Sequence, residues 1–245
     1  MEDESYIYNQ SMSLLTDLYQ LTMAYGYWKQ GRKDEQASFS LFFRKNPFKG
    51  GYAVAAGLGT VVDFLERFSF DNSDLQYLAT LEGNDGERLF EDDFLDYLGQ
   101  MEFECDVDAV LEGTVVFPFE PLVRVTGPLI QCQLLETVLL NTINFQTLIA
   151  TKASRVVNAA EGDPVLEFGL RRAQGWDGSL SASRAAVIGG CTATSNVLAG
   201  KLYNIPVKGT HAHSWVMSYE DELEAFQKYA EVMPNNCVFL VDTYN

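Results

Sequence analysis

The 245 residues carry 17 basic and 34 acidic side chains, a formal charge of −17, and 47% are apolar and 13% aromatic. That is ample for a packed core in one large domain or two small ones and excludes a disordered chain, while the charge repels nucleic acid and acidic membrane surfaces, no basic cluster standing out to reverse it. An anionic substrate therefore needs local help from arginine, lysine, helix N-termini or a metal.

The chain starts acidic, Met1-Glu2-Asp3-Glu4-Ser5, where a signal or transit peptide is basic, and no apolar run approaches the roughly 18 residues of a membrane span, so a cytoplasmic protein is expected. Residues 13–31 predict a helix. Ser13 is the candidate N-cap, Leu14, Leu15, Leu18, Leu21, Tyr25 and Trp28 recur at helical spacing, Asp17, Tyr19 and Gln20 fall on the other face, and Gly31 closes it. So aromatic a helix reads first as core or subunit interface. Residues 37–45 are strand-like, Gly50-Gly51 is a loop, and residues 52–56 form a second strand. Helices are expected over 58–68, 73–81 and 88–98. From Val107 to Leu134, short apolar runs broken by Gly113, Pro118, Pro121, Gly127 and Pro128 suit small antiparallel strands, a separate unit built with the N-terminal segment.

Residues 134–161 predict one long, largely apolar helix ended by Gly162. A regular β/α rhythm follows: strands over 164–168, 191–194, 206–209 and 237–241 alternate with helices over 179–187, 196–203 and 219–233, about four units. Cys105, Cys132, Cys191 and Cys237 are distant in sequence and form no C-x-x-C pair, which indicates neither a zinc cage nor a compact disulfide framework.

The chain's two histidines, His211 and His213, follow the 206–209 strand in the run Gly209-Thr210-His211-Ala212-His213-Ser214. The carboxyl end of a parallel strand is where loops gather reactive groups around a ligand, and the next helix offers free N–H groups to an anion. The other strand ends are polar too: residues 164–168 lead to Arg171 and Arg172, a pair able to fork onto phosphate or carboxylate, and residues 237–241 lead to Asp242 and Thr243.

Four motifs in order, Thr16-Asp17-Leu18-Tyr19-Gln20-Leu21-Thr22-Met23, residues 134–152 with Leu140-Asn141-Thr142-Ile143-Asn144-Phe145-Gln146-Thr147, Glu167-Phe168-Gly169-Leu170-Arg171-Arg172-Ala173-Gln174, and Gly209-Thr210-His211-Ala212-His213-Ser214, together resemble nicotinate phosphoribosyltransferase. The resemblance implies that nicotinate and phosphoribosyl pyrophosphate give nicotinate mononucleotide, with ATP as co-substrate and Mg2+ expected beside it. It makes His213 the residue that ATP phosphorylates, and Thr210 and Tyr19 contacts to nicotinate, Tyr19 reaching in from the partner subunit of a homodimer. By similarity to related nicotinamide enzymes, Phe168 stacks on the pyridine ring and Arg171 holds phosphate, while Ser214 and Asp242 are hydrogen-bonding groups at the same mouth. The architecture it implies is the mixed α+β and α/β one of type II phosphoribosyltransferases: an α+β sandwich-like domain over residues 1–133, and over 134–245 the first part of an irregular, TIM-like β/α barrel. Four β/α units do not close an eight-stranded barrel, so a C-terminal segment is expected to complete it and to bring the nicotinate-carboxylate arginine and the sugar-phosphate loop.

Two other readings compete. His-x-His on a strand puts both rings on one side, as in a metal-dependent hydrolase. An inactive half-barrel kept as a binding module is the non-enzyme alternative.

Overall fold

The computed structural model describes residues 12–244, so the acidic start Met1–Ser5 and the terminal Asn245 lie outside the described residues. The aromatic helix forms as α1, Leu18–Lys29, and Gly31, at φ 70°, turns the chain away from it. It is shorter than its periodicity predicts. Asp17 occupies the N-cap position, and the Ser13 hydroxyl instead donates to the Ser69 carbonyl at 2.8 Å. Leu15 and Leu18 are exposed, whereas Gln20, assigned by polarity to the outer face, is buried. Its amide donates to Glu136 at 2.9 Å and accepts from Gln133, which satisfies a group otherwise costly to bury.

Five short strands follow: β1 (Gln36–Leu41), β2 (Ala53–Val54), β3 (Asp106–Ala109), β4 (Val115–Val116) and β5 (Val123–Pro128). As the turn-rich pattern predicts, they pair antiparallel, in a three-stranded sheet of order β1-β5-β3 with Gln36 opposite Pro128, and in a β2-β4 pair. Helices α2 (Leu58–Leu65), α3 (Asn72–Leu78) and α4 (Asp92–Gly99) close over one core, in which Phe90, Phe94, Leu98, Ile130 and Leu135 are fully buried. The strand-like reading fails at its last six residues: Leu129–Leu134 is helix α5. Five of those six are buried, so the run has no polar face whose period could separate helix from strand.

The long helix appears as α6, Glu136–Ala159, ended by the left-handed Glu161 and Gly162. It serves two cores. Leu139 and Ile143 face the N-terminal cluster, while Ala150 and Ala153 pack against the C-terminal elements. Its threonines also cap the β2 region, Thr151 Oγ1 accepting from Val54 N–H at 2.9 Å and Thr147 Oγ1 from Ala56 N–H at 3.2 Å. Those edge amides thereby find partners without another strand.

Beyond it lie β6 (Leu166–Glu167), α7 (Trp176–Ile188), β7 (Ala193–Thr194), α8 (Val197–Tyr203), α9 (His213–Val216) and α10 (Glu222–Val232). β6 and β7 pair in parallel, and Val207 bridges Thr194 in the same sense. α7 crosses α6 at Gly189, where a β-carbon would lie 2.3 Å from the Ala150 carbonyl oxygen. Two expected strands differ. Residues 206–209 shrink to that single bridge, and 237–241 form no strand among the described residues; Val238 and Val241 are exposed, with no neighbouring strand to pair with. No helix among the described residues is long and apolar enough to cross a membrane.

Candidate active site

Two of the polar groups that follow the expected strands meet, those after residues 206–209 and 237–241, although neither run is a full strand. His213 opens the one-turn α9, and Asp242 and Thr243 return to it from the far side of α10. Thr243 Oγ1 is 3.3 Å from His213 Nδ1 and Asp242 Oδ1 is 3.9 Å from Nε2. The ring is half exposed, with a hydroxyl and a carboxylate to orient it and a face open to a ligand. Ser214 beside it is exposed, whereas the Thr210 hydroxyl turns back to donate to the His211 carbonyl at 2.9 Å. The acidic helix expected over 219–233 forms as α10 and starts only at Glu222. α9 intervenes, and the first turn of α10 is capped by Asp221, which accepts from Glu224 N–H at 2.8 Å, and carries Glu222 and Glu224, so its N–H groups already face carboxylates.

His211 parts company with His213. It is only 7% exposed, its ring lies 4.9 Å from that of Tyr229 and within about 6 Å of Phe226 and Phe239, its Nδ1 faces the Ala212 carbonyl at 3.3 Å, and its Nε2 accepts from Leu240 N–H at 3.2 Å. Both nitrogens are committed, which corrects the His-x-His metal reading: residues 208–212 are not a strand, and one ring is inside while the other is out. By holding Leu240, His211 keeps the returning segment in place for Asp242 to reach His213. Among the described residues no cluster of three or more His, Cys, Asp or Glu stands together as a metal cage. The lone carboxylate Asp242 fits Mg2+ carried on phosphate oxygens, which needs only one or two protein carboxylates.

Phe168, Arg171 and Arg172 sit just past β6 and are exposed, the arginines in the 3-10 turn Leu170–Arg172. Sequence reading missed what underlies them. The Glu167 carboxylate accepts from Thr194 Oγ1 at 2.7 Å, from Ser183 Oγ at 2.9 Å and from Gly169 N–H, and the backbone N–H of Asn196 donates to Thr194 Oγ1 at 3.0 Å. The signal was present, a charged residue inside an apolar strand.

Tyr19 is elsewhere. It lines a cavity of about 470 Å3 whose walls, Asp17, Phe42, Lys45, Thr137, Asn141 and Asn144 among them, all come from residues 17–148. The Thr137 hydroxyl donates to Asp17 at 2.8 Å, locking α1 onto α6 and leaving the Tyr19 ring half exposed at the rim. Nearby the fold assembles a basic group that composition hid: Lys152 Nζ lies 4.1 Å from the Phe48 ring centroid and Arg155 donates to the Phe48 and Pro47 carbonyls at 2.9 and 3.1 Å.

A last charged pair joins the two halves. Arg184 of α7 forks onto Glu112 at 2.7 and 2.8 Å, and Gly57 N–H donates to the same carboxylate at 2.6 Å. Burial alone would raise the Glu112 carboxyl, but the guanidinium and these N–H groups hold it below the ordinary carboxylate range.

The family model for the nicotinate phosphoribosyltransferase (NAPRTase) N-terminal domain matches residues 14–144. The chain belongs to the nicotinate phosphoribosyltransferase family. It is 50% identical over 237 residues to the nicotinate phosphoribosyltransferase of Bacillus subtilis, covering 97% of this chain and 47% of that protein. The crystal structure of human nicotinic acid phosphoribosyltransferase superposes with a TM-score of 0.76 at 47% identity, over 83% of this chain and 40% of that one. Nicotinate-nucleotide pyrophosphorylase from Pyrococcus furiosus, at 23% identity and a TM-score of 0.72, covers this whole chain and 53% of that one, and shares the mixed α/β fold. The chain thus spans about half the length of the relatives it matches.

Proposed function

We propose that this chain supplies the nicotinate-stacking and phosphohistidine parts of a cytoplasmic nicotinate phosphoribosyltransferase, which joins nicotinate to phosphoribosyl pyrophosphate, releases pyrophosphate and is driven by ATP. The observation that carries the reading is the meeting of His213, Asp242 and Thr243 beyond the Val207 bridge, in a chain of this family. An imidazole nitrogen of His213 takes the γ-phosphoryl group as its bond to ADP breaks. Thr243 and Asp242 hold the ring, and Arg171 and Arg172 provide forks for phosphate. Asp242 is the carboxylate of this chain that would meet Mg2+ carried on the phosphates, where the ion would supply charge neutralisation. Phe168 offers a flat face to the pyridine ring, and Thr210 and Ser214 flank the same loop.

In this reading the α+β domain runs up to residue 133 and the opening part of a type II barrel starts at 134, which a C-terminal segment completes. The Tyr19 cavity, walled wholly by the N-terminal half and α6, serves the site of the second subunit of a homodimer; Lys45 on its wall supplies a positive field in an otherwise acidic molecule.

With γ-labelled ATP, the active protein should take up acid-labile, base-stable phosphate on His213. His213→Asn should abolish the label, and equal labelling of that variant would remove the mechanism.

A further inference from the structure

Every polar group around the Glu167 carboxylate is a donor. Thr194 and Ser183 are fully buried, and the hydroxyl of Thr194, 2.7 Å away, points to the carboxylate in preference to the more distant Ser183 oxygen at 3.3 Å. The single proton of Ser183 is shared between Glu167 at 2.9 Å and the Ser179 carbonyl at 3.0 Å. Gly169 N–H takes the other carboxylate oxygen, and the Glu167 carbonyl accepts from Ser195 N–H at 2.9 Å. One anionic side chain thus ties together the end of β6, α7, the end of β7 and the turn that follows β6.

Gly169 gives a second observation. Its φ of −84° and ψ of −9° are open to any residue, so the backbone does not require glycine there. The side chain of Glu167 does: a β-carbon on Gly169 would lie 2.8 Å from Glu167 Oε1, where the carboxylate now sits over the amide. Phe168 and Arg171, on either side of Gly169, are exposed, so it is the course of this turn that aims them.

We infer that Glu167 is a positioning residue, acting through Gly169 N–H to fix the Phe168–Arg172 turn and so to set the affinity for the pyridine ring and for substrate phosphate. The inference rests on the proposed function, since it takes Phe168 and Arg171 as ligand contacts. In Glu167→Gln, an amide NH2 must face either the Gly169 N–H or the two hydroxyls, and one end loses its acceptor. Gly169→Ala displaces the carboxylate from the other side and leaves the buried hydroxyls in place.

The test is steady-state kinetics of the active protein, with thermal unfolding, His213 labelling from ATP and the Gly169 amide proton resonance measured in parallel. Both variants should raise KM for nicotinate or phosphoribosyl pyrophosphate by about tenfold or more, the scale of a lost hydrogen bond to a charged group, with kcat within about threefold. Gly169→Ala should do so with its melting temperature nearly unchanged, His213 labelling should persist in both, and the Gly169 resonance should move upfield in Glu167→Gln. KM values unchanged in both variants, or loss of melting temperature alone, would overturn the inference and leave Glu167 a structural residue. A wild-type protein that labels His213 yet makes no nicotinate mononucleotide would instead overturn the functional reading, and this inference with it.

Discussion

The N-terminal and C-terminal halves bury different things. Up to the start of α6, the core is made of large side chains, with Phe90, Phe94, Tyr25 and Trp28 in mutual ring contact at 5–6 Å, and helices on a sheet enclose them. After α6, the buried residues are mainly small ones, Ala185, Ala186, Cys191, Ala193, Ser183 and Thr194, while Val197, Val207, Met217, Leu223, Val238 and Val241 stay exposed. The first half holds itself together by area removed from water, and the second hangs on α6 by close backbone approach and hydrogen bonds.

Function should show this division most sharply. Tyr19 belongs to the first half and His213 to the second, so mixing inactive Tyr19→Ala and His213→Ala proteins, with subunit exchange demonstrated, should restore about a quarter of wild-type activity through mixed dimers with one intact site each. Exchange without recovery would place Tyr19 in its own subunit. Next in size is core truncation. Phe94→Ala should lose about 3–5 kcal/mol in chemical denaturation, whereas Val197→Ser, at a 71% exposed position, should stay within about 0.5 kcal/mol. Comparable losses would erase the contrast.

The clamp between the halves comes third. Arg184→Ala leaves Glu112 half-buried without its guanidinium and should cost about 2 kcal/mol, between the values for surface and buried pairs. Because the folded carboxyl lies below its ordinary value of 4.5, the wild-type contribution is fully present above that pH and fades as pH falls through the lower folded value. Stability curves of wild type and variant should therefore converge in acid, and a constant gap down to pH 2 would deny the pair its role. The smallest effect is chemical. Cys105, pushed up to about 12 by burial and by Cys132 with its sulfur 3.8 Å away, should resist alkylation at neutral pH, while the exposed Cys237 reacts first by mass spectrometry. Early modification of Cys105 would mean that the first half opens more readily than its packing implies.

Legibility divides along the same line. Periodicity located α1, α6, α7, α8 and α10 because each has its own polar face, and turn residues announced the antiparallel strands. It failed at Leu129–Leu134, which has almost no polar face, and at residues 237–241, where a strand-like run finds no neighbour among the described residues; strand formation belongs to a pair and not to a segment. His213 and Asp242 stood out as reactive groups at predicted strand ends, and the fold brings them together. The roles of His211, Glu167 and Gln20 were hidden because each is fixed by a partner distant in sequence, Leu240, Thr194 and Gln133 respectively.

The register that sets Gln36 against Pro128 has a consequence during synthesis. β1 is the edge partner of β5 alone, so at about 5–20 residues per second it waits several seconds unpaired while α2, α3, α4 and β3 are made. During that interval its apolar residues Phe39 and Leu41 and its bare backbone lie open beside an aromatic helix. The nascent chain is most vulnerable to aggregation, and most dependent on chaperones, before Val123 leaves the ribosome, so slow codons ahead of β5 should lower the yield of folded protein more than the same codons placed after it.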